Sequence, residues 1–167
     1  DEGLTKCHTK ADNYNDISGY WNCEHIRSNR GNFNSHPAFK AADDYNTNCP
    51  VSTTTTGWYL PASGQWWDII QNLGGCPALA NPDEQTSTSS GNFSWSGQGH
   101  VTAALNAWME KIAADSKFDF YSDEWFWSSS EQSALDACYW GVFYDSDVHC
   151  HRYKKSYKHT VRPVLAF

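Results

Sequence analysis

The chain has 167 residues, enough for one domain with a core, and its 40% apolar content is ordinary for a globular protein. A net charge of −7 with only 12 Lys plus Arg excludes a general nucleic-acid binder, whose affinity comes from neutralising phosphates. No apolar run approaches the roughly 18 residues of a membrane helix, so membrane insertion is not expected either.

The aromatic content is high: 9 Trp, 9 Tyr and 8 Phe. Such side chains bury large areas in cores and also serve as rigid contact surfaces. The cysteines are Cys7, Cys23, Cys49, Cys76, Cys138 and Cys150, with no CxxC pair. Six allow about 15 pairings, and both disulfides and buried free thiols stay open.

Residues 1–34 are rich in Asn, Asp, Ser, Gly and His and read as turns and loops, with short strands only around Gly19–Cys23. The segment Ser35–Tyr45 predicts a short helix capped by Ser35, with Pro37 in its first turn and Phe39, Ala42 and Tyr45 on one stripe. Thr53–Thr56 leads into a strand, Gly57–Pro61, stopped by proline. Ser63 is expected to cap a helix over Gly64–Leu73, whose Trp66, Ile70 and Leu73 share a face, and Gly74-Gly75 ends it. Residues 76–99 form a long loop with a strand around Phe93–Ser96. A third helix, His100 to about Ala114, follows from Val101, Leu105, Trp108, Met109 and Ile112. From Trp125 onward the pattern turns to strands: Phe126–Ser128, Ala137–Tyr144, a turn at Asp145–Asp147, Val148–Tyr153, and a closing apolar strand over Val161–Phe167 with Pro163 at an edge or bulge. Helices followed by antiparallel strands read as an α+β fold.

Three blocks carry a resemblance: Gly57-Trp58-Tyr59-Leu60-Pro61-Ala62-Ser63-Gly64-Gln65-Trp66-Trp67, Phe126-Trp127-Ser128-Ser129-Ser130-Glu131, and Val161-Arg162-Pro163-Val164-Leu165-Ala166-Phe167. Their order and spacing over about residues 35–167 resemble the C-type-lectin-like variable proteins of diversity-generating retroelements in Bacteroidetes-type bacteria and their phages. The resemblance implies a single C-type-lectin-like domain over 1–167, two to three helices packed on short antiparallel sheets, and an irregular part at 1–34. It also implies a variable C-terminal region at 125–167. The implied function is non-enzymatic recognition, with no cofactor and no metal, of a protein or glycan on a cell surface. Display would be at a pilus or adhesin tip or on a phage particle.

In that family a reverse transcriptase rewrites the gene at adenines, chiefly in Asn codons, which can then reach many residues but not Lys, Glu, Gln, Met or Trp. Residues 133–160 fit such a mixture at Leu135, Asp136, Cys138, Gly141, Phe143, Asp145, Ser146, His149, Cys150, His151, Arg152, Tyr153, Ser156, Tyr157 and His159. Trp140, Lys154, Lys155 and Lys158 cannot arise from an Asn codon and read as scaffold or as other template codons. Strand alternation places Val142, Tyr144 and Val148 inward and Gly141, Phe143 and His149 outward. The run His149–Tyr153 suits a loop or strand end. The binding face then centres on Phe143, Tyr144, Asp145, His149, His151, Arg152, Tyr153 and Tyr157, since aromatics and Arg dominate interface energetics. The competing reading is an ordinary solvated β-edge with scattered aromatics.

Other motifs have bland readings that outweigh sharper ones. Trp58, Trp66, Trp108 and Trp127 occupy core-like positions. His149 and His151 could hold zinc with Cys138 or His159, but the paired ligand spacings are absent. The Glu-Pro-Asn and Gln-Pro-Asp triplets of calcium lectins do not occur, and Asn81-Pro82-Asp83 is a partial echo only, though a structural loop ion stays open. Ser128-Ser129-Ser130-Glu131 suits backbone capping better than a nucleophile. A formylglycine-generating-type enzyme on a related fold would need a paired-cysteine copper site that the sequence does not place. The run Arg152, Lys154, Lys155 and Lys158 could take an acidic glycan or a phosphate, or be a solvated face. The main alternative function is a fixed-specificity adhesin or lectin module.

Overall fold

The structure, a computed structural model, describes residues 3–4, 6–77, 93–96, 98–112, 114, 119–120, 124–142 and 147–167. Among these residues the chain forms five helices and four strands, a mixed α+β arrangement.

The first two helices stand where loops and strands were expected. Helix α1 spans Lys10–Asn15. Its first turn closes as a capping box: Asp12 N donates to Thr9 Oγ1 (3.1 Å), and Thr9 N donates back to the Asp12 carboxylate (2.8 Å). Helix α2 spans Gly19–Arg30 and ends at Gly31, whose φ of 72° lies in the left-handed region that glycine adopts without strain. The sequence reading missed both because their buried faces carry polar residues. Asn22 Nδ2 donates to Ser129 O (3.3 Å) and Ser129 Oγ (3.0 Å), and Asn13 Oδ1 accepts from Ser63 Oγ (2.8 Å). Buried amides satisfied by specific partners leave no apolar period to detect.

Helices α3 (Pro37–Asn48), α4 (Ser63–Asn72) and α5 (His100–Met109) match the three expected ones within a few residues. Their ends differ in detail. Ser35 does not cap α3; its hydroxyl lies 3.1 Å from His36 Nδ1. Ser63 is inside α4, where Gln65 Oε1 accepts from Ala62 N (2.9 Å) and closes the first turn. Helix α5 stops at Met109, and Trp108 and Ile112, which extend its apolar stripe, are exposed. The five helices correct the two to three that the resemblance implied.

Strands β1 (Phe93–Ser96), β2 (Glu124–Glu131), β3 (Asp136–Val142) and β4 (Asp147–Lys154) make one antiparallel sheet of order β1-β4-β3-β2. The closing segment does not form the expected strand. It contributes one antiparallel bridge, Tyr59 to Val164, and Thr160 a parallel one to Phe126. Pro163 has no N–H to donate, which limits any ladder there.

Two apolar cores draw on this sheet. In the first, Trp66, Ile70, Val101 and Leu105 of α4 and α5 pack on Phe126, Trp140, Val142 and Val148. In the second, Cys23, Ile26, Phe33, Ala42 and Leu60 pack on Trp127 and Tyr139. Of the tryptophans expected in the core, Trp66 and Trp127 are buried, Trp58 is half-buried, and Trp108 is exposed.

The serine run ties β2 to α2, to α4 and to the end of α1. Pairing shifts register between Trp127 and Glu131, a bulge. There Ser128 Oγ donates to Cys138 O (2.8 Å), Ser130 Oγ donates to Asp16 Oδ2 (2.6 Å), and Ser130 Oγ accepts from Ser63 N (2.8 Å). These serines thus bond a strand carbonyl, the carboxylate at the end of α1 and the first N–H of α4. Beside them the buried Glu131 carboxylate is paired with Lys6 (2.7 Å) and Lys155. Burial works to raise the Glu131 carboxyl, but hydrogen bonds from Lys155 and Lys6, and their charge, hold it below its ordinary value.

Candidate functional site: an aromatic and imidazole face

Strand alternation divides β3 and β4 into two faces. Trp140, Val142, Val148 and Cys150 pack in the first core, and Cys138, of the same parity, is buried beside Cys7. The opposite face carries Tyr139, Gly141, His149, His151 and Tyr153, and the antiparallel register sets them in rows with β2. Trp125 pairs with Gly141, and Gly141 with His149; Trp127 pairs with Tyr139, and Tyr139 with His151.

Gly141 has no side chain, so the rings on either side of it meet. Trp125 and His149 lie with centroids 5.8 Å apart, and Trp125 and His151 5.7 Å apart. Tyr139 sits edge-on to Trp125 (4.6 Å) and to Tyr153 (5.9 Å). Thr160 holds the segment after β4 against β2: its N donates to Trp125 O (2.9 Å) and its O accepts from Trp127 N (3.0 Å). That places His159 edge-on to Trp127 (4.7 Å) and stacked on Tyr139 (4.8 Å, 22°). Tyr157 meets Tyr153 edge to face at 4.4 Å.

The face is graded. Trp127 and Tyr139 are covered, Trp125, His149, His151 and His159 are half-buried, and Tyr153 and Tyr157 are 41% and 51% exposed. Burial lowers the His151 pKa, with the neighbouring His149 adding to the effect, and burial lowers that of His159. Both rings are therefore neutral at pH 7, able to donate at one nitrogen and accept at the other. At one end of the face a pocket of about 320 Å³ is lined by Glu124, Trp125, Lys158, His159 and Thr160.

The fifteen sequence candidates fall into four groups. His149, His151, Tyr153, Tyr157 and His159 are gathered on this face. Leu135 (73% exposed), Asp136 and Ser156 lie at the far end of the β3–β4 pair, where Lys155 N donates to Leu135 O (2.9 Å) and Ser133 Oγ donates to the Asp136 carboxylate (3.1 Å). Cys138, Gly141, Cys150 and Arg152 require correction. Cys138 and Cys150 are 1% and 0% exposed, Cys150 within the first core and Cys138 beside Cys7, so no partner can touch them. Gly141 is buried between Trp125 and His149. Arg152 shares the inward parity, is half-buried, and donates to Gln132 Oε1 (3.1 Å). Phe143, Asp145 and Ser146, with the neighbouring Tyr144, lie outside the described residues.

Residues His149–Tyr153 form regular strand, not a loop or strand end. That parity separates Cys138 from His149 and His151, and among the described residues no group of three His, Cys, Asp or Glu side chains is placed to hold a metal ion. All six cysteines are free thiols, Cys49 alone exposed. The basic run is divided: Lys155 pairs with Glu131, Arg152 bonds Gln132, and Lys158 lines the pocket. The sequence reading missed Tyr139 and Trp125. Tyr139 is two positions from Gly141, already read as outward, so strand parity alone could have found it. Trp125 precedes the expected strand by one residue.

No protein-family model and no curated protein matches the chain. A crystal structure of a fimbrial protein from Bacteroides ovatus is similar in fold, with a TM-score of 0.51 and 21% identity over 90% of this chain and 25% of that one. The chain thus spans a quarter of that protein's length. No described helix is long and apolar enough to cross a membrane.

Proposed function

We propose that the chain is the recognition domain of a surface adhesin, a C-type-lectin-like variable protein whose outer sheet face is rewritten by a diversity-generating retroelement. The observation that carries this reading is the division of β3 and β4. Inward positions hold Trp140, Val142 and Val148, which packing demands, with the buried Cys138 and Cys150 and the half-buried Arg152, while outward and loop positions hold unlike residues, Gly141, His149, His151, Tyr153, Tyr157 and His159, all within reach of a mutated Asn codon. Trp140, which is out of reach, is fully buried.

The three blocks that suggested the family also converge in space, which supports the lectin-like fold. Tyr59 pairs with Val164, Trp66 Nε1 donates to Trp127 O (3.1 Å), and Ser63 N donates to Ser130 Oγ (2.8 Å). The likeness to a fimbrial protein supports display on a surface fibre.

Recognition would be non-covalent. Aromatic rings fixed by their neighbours bury area at little entropic cost, and neutral imidazoles supply adaptable hydrogen bonds. The test is an array of surface proteins and glycans probed with the purified domain. Replacing His151, Tyr153 and Tyr157 together by Ala should abolish any array signal, while Trp21→Ala, an exposed change on α2, should leave it intact. A signal indifferent to the triple variant would overturn the assignment of the face.

A further inference from the structure

Cys7 and Cys138 meet in a closed space at the bulge in β2. Trp127 pairs with Tyr139 and Glu131 with Ala137, so Ser128, Ser129 and Ser130 stand opposite Cys138 alone. A bulged strand bends, and the segment before α1 fills in beside it. There Lys6 bridges to Glu131, and Cys7 N donates to Glu131 O (2.8 Å). The Cys7 and Cys138 thiols are in hydrogen-bond contact, and the two residues are 0% and 1% exposed. Asp16, at the end of α1, borders the same space: its Oδ2 accepts from Cys7 Sγ (3.7 Å) and from Ser130 Oγ (2.6 Å).

The other cysteines do not compete for either thiol. Cys23 lies in the second core, Cys76 in the first, and Cys49 is exposed at the end of α3. Cys150 shares the parity of Cys138, but Cys138 pairs with Arg152 and Cys150 with Trp140, which sets the two cysteines on a diagonal across the strands. Diagonal neighbours stand about 7–8 Å apart, beyond the usual reach of a disulfide. The Cys150 thiol instead lies 3.7 Å from the Ser63 hydroxyl. We infer that Cys7 and Cys138, thiols in this structure, are joined by a disulfide when the chain folds in an oxidising compartment, stapling the segment before α1 to β3 across the bulge.

The bond closes by two steps of exchange with an external disulfide. The Cys7 thiolate attacks one sulfur of that disulfide, and the other sulfur leaves as a thiolate. The Cys138 thiolate then attacks the Cys7 sulfur and expels the second. Two protons pass from the cysteines to the two thiols released, and the oxidant carries away both electrons. The Cys138 thiol beside it and burial both push the Cys7 thiol up, and solvent reaches neither side chain, so the bond closes before the segment docks. A staple between positions so far apart in the chain restricts the unfolded state most.

The oxidising compartment rests on the surface display proposed above; the test supplies the oxidant itself and so is independent of it. The reduced, unfolded chain is refolded in a buffer of oxidised and reduced glutathione. It is then unfolded with N-ethylmaleimide and mapped by mass spectrometry without reduction. Peptides joined through Cys7 and Cys138 should dominate, with the other four cysteines alkylated. The denaturation midpoint of the oxidised domain should fall when dithiothreitol is added. Cys7→Ala and Cys138→Ala should each lose the cross-link and the sensitivity to dithiothreitol, while Cys49→Ala, an exposed change, should keep both. The mapping of the wild-type chain decides even where a variant fails to fold. Six alkylated cysteines, a cross-link that joins Cys7 or Cys138 to any other cysteine, or a midpoint that dithiothreitol leaves unchanged would overturn the inference. Free thiols together with an array signal that needs Tyr153 and Tyr157 would remove the staple and leave the recognition face. The cross-link together with an array signal indifferent to those tyrosines would do the reverse.

Discussion

Val148 and Cys150 are wholly buried against Trp140 and the α4 and α5 helices, whereas His149, His151 and Tyr153, each one residue away, stand among rings on the opposite side of the same strand. Neighbours along β4 therefore answer to different constraints. Inward residues are chosen by volume and by the absence of unsatisfied polar groups. On the proposed function, outward residues toward Tyr153 and Tyr157 are set by what they present, and such a strand would change its outer surface while its inner surface holds the fold.

The sharpest way to break this comparison is on the inner side. Trp140→Ala removes a fully buried indole and leaves the Ser63 hydroxyl without the Nε1 donor 2.8 Å away. Chemical denaturation should show a loss of about 3–5 kcal/mol. A loss under about 1 kcal/mol would mean that the inner face is not the packed one.

Glu131 tests whether the bulge is part of the scaffold. Removing the buried carboxylate in Glu131→Ala leaves the Lys6 and Lys155 ammoniums, both partly solvated, without their shared partner and should cost about 2–3 kcal/mol. The same pair sets an acid limit. The folded-state pKa lies below the ordinary 4.5, so this stabilisation is complete above about that value and is lost as pH falls through 4.5 to the lower folded-state value. Wild type should therefore lose stability more steeply than Glu131→Gln over that range.

The histidines of the outer face sharpen the comparison from the other side. Burial lowers both His151 and His159 below the ordinary 6.5, so imidazole C–H resonances should titrate with midpoints under 6.5. The unfolded chain binds those protons first, so stability should fall as pH drops through 6.5 and be flat above it as far as these groups are concerned. Midpoints above 6.5 would mean that the rings are hydrated or paired with an acid. The smallest effect is expected at Tyr157, which is half exposed at the tip of the face. Tyr157→Ala should change stability by less than about 1 kcal/mol yet weaken array binding.

Much of this organisation was legible in the sequence. Three helices were readable because Trp66 and Ile70, or Val101 and Leu105, repeat at helical spacing, and β3 and β4 followed from the alternation of Val142 and Val148 with unlike neighbours. Helices α1 and α2 were not legible, because Asn13 and Asn22 are buried through hydrogen bonds to residues 50 and 107 positions away. No local pattern encodes such partners. His149, His151, Tyr153, Tyr157 and His159 lie on the outward face that the sequence reading favoured, whereas Cys138 and Cys150 point inward, because codon reach carries no information on which face a residue takes. Strand parity did carry it, and applied consistently would have exchanged Cys138 for Tyr139.

The most direct test of the diversified face is the DNA sequence downstream of the gene. A near-identical repeat of the codons for about residues 125–167 is expected there, beside a reverse transcriptase gene. Its differences should be confined to template adenines and fall at outward or loop codons such as those of His149, His151, Tyr153, Tyr157 and His159. A repeat whose differences fall on Trp140, Val142 and Val148, or no repeat at all, would contradict the diversified face and leave a recognition domain of fixed specificity.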